Sequence, residues 1–564
     1  LRRFPSQLPR TLVPCLPLPL YLAATLAQRF DVWLPLRFAH GCHRLASIIA
    51  YGAGFSGTQR KYLDMKQKHT RMAGVLLHPT SLPGPFGIGE LGSEAYRFVD
   101  WLARAEQTIW QVLPLAPTGF ADSPYAAFSA FAGNPLLISL QRLHDEGLLS
   151  DSDFADYPVL PQDRVDYGAV IPHKMRLLRR AYERWKSQAT SEDHHQLDAF
   201  RREQAHWLED FALFMALKEV FGGRAWTEWD NEFALRRPDA LQKACSELQD
   251  AIQFHVFLQH RFRQQWLDLK RYAHERGIRI MGDMPIFVAH DSADVWAHPE
   301  MFHLDRRGNP TFVAGVPPDY FSPTGQRWGN PVYRWDVLRK QGYRWWVERF
   351  RAMLQLVDMV RVDHFRGFAA YWQVPASEPT AVKGKWIKVP GRELFGTLKQ
   401  ELGELPIVAE DLGIITPDVV RLRKGLGFPG MRVLQFAFDG DPDNPYLPYN
   451  YEPDTVVYTG THDNDTLVGW FANLSDDQKR RLFDYVGRED VSVHWEMIRL
   501  AYASVARIAI IPLQDWLGLG SEARMNQPGR EAGNWQWRCR SEYLNEELAG
   551  AIAKMCVIYG RKRY

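Results

Sequence analysis

Cysteine is scarce in this chain: five in 564 residues, at Cys15, Cys42, Cys245, Cys539 and Cys556. The number is odd, the spacing is wide and no Cys-x-x-Cys pair occurs. That argues against a disulfide framework and a structural zinc site and fits a reducing compartment, the cytoplasm. Missing too is an apolar run able to span a bilayer as a helix, since the best stretch, Leu12 to Ala27, is broken by Pro14, Pro17 and Pro19. No membrane association is expected. Nor does charge of one sign dominate. The formal net charge is +2, split into +8 over residues 1–70 and −6 over the remainder, so the body offers no clustered basic face to nucleic acid. No repeat with a period of about 20 to 50 residues stands out.

What remains is the composition of an ordinary globular protein, 46% hydrophobic and 24% charged, long enough for a large core. Aromatic content is 13%, with 20 Trp; such rings serve flat, neutral ligand faces as well as the core. Arg2 and Arg3, the apolar stretch behind them and Ala23, Ala24 and Ala27 superficially resemble a signal or transit segment. We read residues 1–71 instead as sequence ahead of a start at Met65 or Met72, outside the fold, because no periodic element precedes Arg71.

From Ala73 onward short apolar runs alternate with helical patterns, as parallel strands joined by crossover helices do. The eight runs are Val75 to His78, Ile109 to Pro114, Ile278 to Phe287, Met359 to Asp363, Ile407 to Glu410, Met431 to Phe438, Val456 to Thr459, and Ile508 to Leu513. Their richness in Val, Ile and Leu suits strands covered on both faces. Between them, Ser93 is a candidate cap for a helix burying Ala95, Phe98, Val99, Leu102 and Ala103. Thr416-Pro417-Asp418 starts another helix that Gly425 would stop, and Ser475 with Gln478 forms a capping box for a helix ending at Gly487. The expected fold is an α/β class (β/α)8 barrel, over residues 72–564. Some 170 residues separate the second run from the third, against about 30 for a plain unit. The excess predicts a mainly helical insertion at 136–270 on the C-terminal face of the strands.

Catalytic groups of such a barrel sit where strands end, and four exits here are acidic: Asp283, Asp363, Glu410-Asp411 and Asp463-Asn464-Asp465. One Asp after a strand is ordinarily a cap or turn residue. Four exits on one small face repel one another, and that needs a compensating task. No His-x-His, His-x3-His or Asp-x-Asp-x-Asp run accompanies them, so no metal is expected. Two carboxyl groups flanking a sugar linkage can break it with no cofactor, one attacking the anomeric carbon while the other, protonated, supplies the leaving oxygen. Arg361 points to the same side of its strand as Asp363 and would keep it charged as a nucleophile. Glu410 ends the apolar run Leu405 to Ala409, where desolvation suits a general acid.

Arg361-Val362-Asp363-His364-Phe365-Arg366-Gly367, Ala409-Glu410-Asp411-Leu412-Gly413 and Thr461-His462-Asp463-Asn464-Asp465-Thr466 resemble the active-site motifs of the 4-α-glucanotransferases, the amylomaltase or disproportionating-enzyme family related to the α-amylases. So do His78 to Pro83, Asp122-Ser123-Pro124-Tyr125, Gly315 to Asn330, Arg524-Met525-Asn526 and Gly533-Asn534-Trp535. The likeness covers residues 72–540. It implies Asp363 as nucleophile, Glu410 as acid/base and Asp463 as stabiliser of the transition state, with Arg361, His364 and His462 holding the reacting sugar. Ser123, Tyr125, Asp283, Asp319, Tyr320, Phe321, Gln326, Trp328 and Asn526 complete the candidate sugar-binding set. Tyr320, Phe321 and Trp328 lie on a stretch, 315–336, read as a lid loop that excludes water while an acceptor is held. The resemblance implies transfer between α-1,4-glucans by a monomer or small homo-oligomer. A retaining α-amylase-type hydrolase would need the same three carboxylates, and a non-catalytic glucan-binding barrel would be expected to lack one.

Overall fold

The computed structural model describes residues 71–319, 322–489 and 491–562. The reading of residues 1–70 therefore lies outside the described residues, as do Tyr320 and Phe321. Twelve strands are described. They are β1 (Met72–Leu76), β2 (Ile109–Gln111), β3 (Arg279–Met284), β4 (Phe312–Val316), β5 (Gln326–Pro331), β6 (Met359–Val362), β7 (Ala370–Pro375), β8 (Lys385–Lys388), β9 (Ile407–Ala409), β10 (Gly430–Val433), β11 (Thr455–Tyr458) and β12 (Ile508–Pro512).

Eight of these pair in parallel in the order β10-β11-β12-β1-β2-β3-β6-β9. The amide of Ala409, at the end of β9, donates to the carbonyl of Pro429, just before β10, at 2.9 Å, and so joins the two outer strands. The fold is the (β/α)8 barrel that the apolar runs imply, and each of the eight runs overlaps one barrel strand. Every residue of β1, β11 and β12 is buried, which is why these strands read as continuous apolar runs without alternation. The first strand starts earlier than its apolar run, because Met72 and Ala73 are held by pairing to Ile508 and Ala509 of β12. At Gly74 a Cβ would meet Ile510 at 2.6 Å and Ile109 at 2.7 Å, so only glycine lets β1 lie this close to its neighbours.

The helices follow their punctuation with small shifts. Gly92, not Ser93, is the N-cap of helix Ser93–Arg104, which buries Ala95, Phe98, Val99, Trp101 and Leu102. The capping box of Ser475 and Gln478 is formed, and Gly487 ends that helix in the left-handed region. Helix Pro417–Leu426 runs past Gly425 and stops at Gly427, whose φ of 75° is the conformation a glycine C-cap supplies. Between β2 and β3 stand the helices Tyr167–Gln188, Ser191–Glu203, Leu208–Val220, Pro238–Glu247 and Gln249–Glu275. None of the described helices is long and apolar enough to cross a membrane.

A second sheet has no counterpart in the sequence pattern. It is antiparallel, four-stranded and ordered β5-β4-β7-β8, and it is built from the segments on either side of β6. The stretch 315–336 is thus partly strand, since it contains the end of β4 and all of β5. Trp335, Trp345 and Trp346 are buried and pack on one another, with Trp335 and Trp346 stacked at 6.1 Å and Trp345 edge-on to Trp346 at 5.3 Å. They are core, as their helical spacing suggests.

Candidate active site

The barrel strands deliver their acidic exits to one end of the ring, yet the side chains do not share one fate. A cleft of about 930 Å³ is lined by Asp363, Glu410 and Asp463 together with Ser123, Tyr125, Asp319, Gln326, Trp328, Arg361, His364, His462 and Asn526. Three neighbouring acids turn elsewhere. Asp411 accepts from the Met431 amide at 2.8 Å and pairs with Arg423 at 3.0 Å. Asp465 accepts from the Ser521 hydroxyl at 2.7 Å. Asp283 is 1% exposed and does not reach the cleft. It receives Arg361 Nη1 on both oxygens, at 2.8 and 2.7 Å, and the Tyr125 hydroxyl at 2.8 Å. Its place is behind the site, where it holds two groups that do face the cleft.

Arg361 links Asp283 to Asp363. Its second terminal nitrogen lies 2.8 Å from Asp363 Oδ1, the same-side geometry that two residues along a strand provide. Burial alone would lower the guanidinium pKa, but the carboxylates of Asp283 and Asp363 raise it well above the ordinary arginine value. A permanent cation is therefore locked beside Asp363. Glu410 stands at the end of β9, which pairs directly with β6 through Val360 with Ile407, Arg361 with Val408 and Val362 with Ala409. Its carboxylate accepts the His364 amide at 2.6 Å and the Leu412 amide at 2.8 Å. Burial, and then the charge of Asp363, push the Glu410 pKa up to about 7, while Arg361 and the two amides oppose the shift. One strand exit therefore carries a carboxylate paired to a cation, and the next carries a carboxyl that keeps its proton near neutrality.

Asp463 enters from the loop after β11. Asn526 Nδ2 donates to its Oδ1 at 2.6 Å, His462 Nε2 lies 3.4 Å from the same oxygen, and Arg524 donates to its carbonyl at 2.6 Å. Asn526 thus orients Asp463 besides lining the cleft. His462 is stacked on Tyr125, with ring centres 5.0 Å apart and planes 14° apart. Trp535 packs beside both, 5.7 Å from Tyr125 and 5.9 Å from His462. Burial pushes the His364 imidazole down to about 4, so it is neutral near pH 7. His364 sits in the left-handed region, at φ 50° and ψ 49°, and Gly367 makes room for it, since a Cβ there would lie 3.3 Å from its ring. Ala121 and Trp535, which also line the cleft, share positive φ, as does Asp122 beside them. Such backbone strain in residues other than glycine tends to gather at functional sites.

Of the other candidates, Gln326 and Trp328 lie on β5, Asp319 on the connection before it and Ser123 on the loop after β2. Trp328, on β5, meets the His364 ring edge-on at 4.8 Å and donates from Nε1 to Gln326 Oε1 at 3.1 Å. Asp319 accepts the Ser322 amide at 2.9 Å, and Ser123 accepts the Tyr125 amide at 3.2 Å. Residues that sequence reasoning did not select also line the cleft, among them Phe120, Arg366, Trp386, Ile414 and Trp535. The signal for Trp386 was a large aromatic inside the otherwise charged run Lys385-Trp386-Ile387-Lys388; for Trp535 it was its place in Gly533-Asn534-Trp535. Among the described residues no group of three or more His, Cys, Asp or Glu side chains is placed to hold a metal ion.

A (β/α)8 barrel whose strand exits bring three carboxyl groups of unlike environment to one aromatic-walled cleft defines an enzyme of the class that works on glycosidic bonds. The sequence profile of the 4-alpha-glucanotransferase family matches residues 77–544, and the chain belongs to that family. It is 51% identical over 498 residues to the 4-alpha-glucanotransferase of Synechocystis, covering 88% of this chain and 99% of that one. To the enzyme of the same name from Thermus thermophilus it is 52% identical over 493 residues, covering 86% and 98%. Its fold matches the structure of amylomaltase from Streptococcus agalactiae in complex with acarbose at a TM-score of 0.85 and 42% identity, over 88% of this chain and all of that one.

Proposed function

We propose that the chain transfers a segment of an α-1,4-glucan to the 4-hydroxyl of an acceptor glucose or maltooligosaccharide by retaining double displacement. The observation that carries this reading is the contrast between adjacent strand exits. Asp363 is ion-paired to Arg361, while Glu410 holds its proton up to about pH 7, and both line one cleft. Asp363 attacks the anomeric carbon as the Glu410 proton passes to the departing glycosidic oxygen, leaving a glucosyl ester on Asp363. Glu410, now ionised, takes the proton of the acceptor 4-hydroxyl as that oxygen attacks the anomeric carbon and the ester bond breaks. Asp463, oriented by Asn526, faces the positive charge that develops on the sugar ring, and the neutral His364 imidazole and His462 hydrogen-bond to its hydroxyls.

A hydrolase would use the same three groups, so the outcome depends on the acceptor displacing water. The aromatic walls around Trp328 and Tyr125 support transfer, since apolar ring faces hold sugars while excluding bulk water. The test is incubation with maltotriose alone. Longer maltooligosaccharides appearing together with glucose are expected; maltose and glucose without longer products would reverse the assignment. The free cysteines Cys245, Cys539 and Cys556 support a cytoplasmic setting.

A further inference from the structure

β8 is an edge strand, and its residues Lys385, Trp386 and Lys388 are exposed. Lysines on an edge strand protect it from unwanted pairing; a tryptophan there does not. Trp386 is 39% exposed and lines the cleft, so its ring needs another explanation. It is also held in place. Trp386 pairs directly across from Trp372 on β7, and the two rings meet at 5.3 Å with planes 62° apart. The Arg366 guanidinium lies 4.0 Å from the centre of the Trp386 ring, within cation–π range.

Arg366 ties this platform to the chemistry. It stands three residues after Asp363 and donates from Nη1 to the Ile414 carbonyl at 2.5 Å. Ile414, itself 63% exposed and lining the cleft, belongs to the loop that follows Glu410. A general acid must stand next to the oxygen it protonates, and that oxygen belongs to the leaving chain and later to the acceptor. The loop running on from Glu410, with the Arg366 and Trp386 pair attached to it, therefore borders the leaving-group half of the cleft. Tyr125, His462 and Trp535 form a separate aromatic cluster in the cleft wall, with Asp463 next to His462.

Taking the transfer reading as given, we infer that Trp386, backed by Arg366, is a stacking platform for sugar residues of the acceptor chain beyond the one that receives the glucosyl unit. A ring fixed on one side by a cation and on another by Trp372 loses little freedom when a sugar face settles on it. The platform selects longer acceptors without touching the reacting atoms.

The experiment compares the parent enzyme with Trp386→Ala and Trp386→Phe, using one donor at saturation and either glucose or maltotetraose as acceptor. In Trp386→Ala the KM for maltotetraose is expected to rise about tenfold, and that for glucose less than twofold, with Trp386→Phe restoring most of the loss. Equal KM changes for the two acceptors, or a maltotetraose KM within twofold of the parent, would overturn the platform. Urea unfolding of Trp386→Ala separates a folding defect from lost stacking: a chain that unfolds like the parent yet shows no acceptor-length effect also counts against the proposal. The parent enzyme tests the underlying reading independently, since its failure to lengthen either acceptor would remove transfer itself.

Discussion

Replacing Glu410 with Gln should make the protein relatively more stable as the pH rises, even as it stops catalysis. The carboxyl is shifted from 4.5 to about 7 in the folded chain, first by burial and then by the charge of Asp363. Below pH 4.5 folded and unfolded chains both hold this proton, and the group sets no pH dependence. Between 4.5 and about 7 the unfolded chain ionises while the folded chain does not, so stability is lost as the pH rises. Above about 7 the loss levels off near 3 kcal/mol, the free-energy equivalent of the shift. From pH 5 to pH 8 the change amounts to about 2.5 kcal/mol. Gln does not titrate, so the stability of Glu410→Gln relative to the parent should improve by that amount over the same interval. The fixed cost of the amide, which cannot accept from both His364 and Leu412 as the carboxylate does, cancels in this difference. So does Asp515, which burial also pushes up to about 7 but which titrates alike in both proteins. Equilibrium urea unfolding at pH 5, 6, 7 and 8 measures the quantity directly. A stability difference that stays flat within about 0.5 kcal/mol across that range would refute the claim that Glu410 is protonated near neutrality, and with it the reason for assigning Glu410 the acid role.

Two further outcomes follow from the groups behind the cleft. Asp283→Asn should lower stability by about 3 kcal/mol in urea unfolding, because it leaves the buried Arg361 with half its anionic partners; it should lower kcat as well, since Arg361 is then free to shift from Asp363. Asn526→Ala releases Asp463 from its 2.6 Å hydrogen bond and should reduce kcat about tenfold or more while KM stays within about threefold. A rise in KM with kcat unchanged would make Asn526 a sugar ligand only.

The barrel was legible because its strands are covered on both faces, so each appears as a compact apolar run with no polar residue required by the pattern. Val456, Val457 and Tyr458, or Ile508 to Ile511, are buried throughout, and nothing but a strand or a buried helix turn fits such short runs. The second sheet was not legible for the converse reason. β5 reads Gln-Arg-Trp-Gly-Asn-Pro and β8 reads Lys-Trp-Ile-Lys; both are edge strands, and an edge that faces solvent carries polar side chains indistinguishable from those of a loop. The partners of the catalytic groups were hidden by chain distance. Tyr125, His462 and Trp535 form one aromatic cluster although they come from three separate loops, and no local pattern records that meeting. Asp283 was counted among the sugar-binding candidates, and only its burial and its contacts with Arg361 and Tyr125 place it behind the site.

The harder ambiguity lay between neighbours. Glu410 and Asp411 are adjacent acids at the end of one strand, and composition alone treats them alike. Their separation is decided by the alternation of side chains along β9. Because Ile407, Val408 and Ala409 pair with Val360, Arg361 and Val362, the next residue continues the ladder: Glu410 N–H donates to the Val362 carbonyl at 3.0 Å, and its own carbonyl accepts from Phe365 N–H at 3.0 Å. That register turns the Glu410 carboxyl towards Asp363 and sends Asp411 back to the Met431 amide and the Arg423 guanidinium. A slip of one residue would exchange the two, turning the Asp411 carboxyl towards Asp363 and sending that of Glu410 into the wall beside Arg423. The division into one paired and one protonated carboxyl thus rests on the pairing of β6 with β9, and the catalytic contrast is a consequence of strand register before it is a property of either side chain.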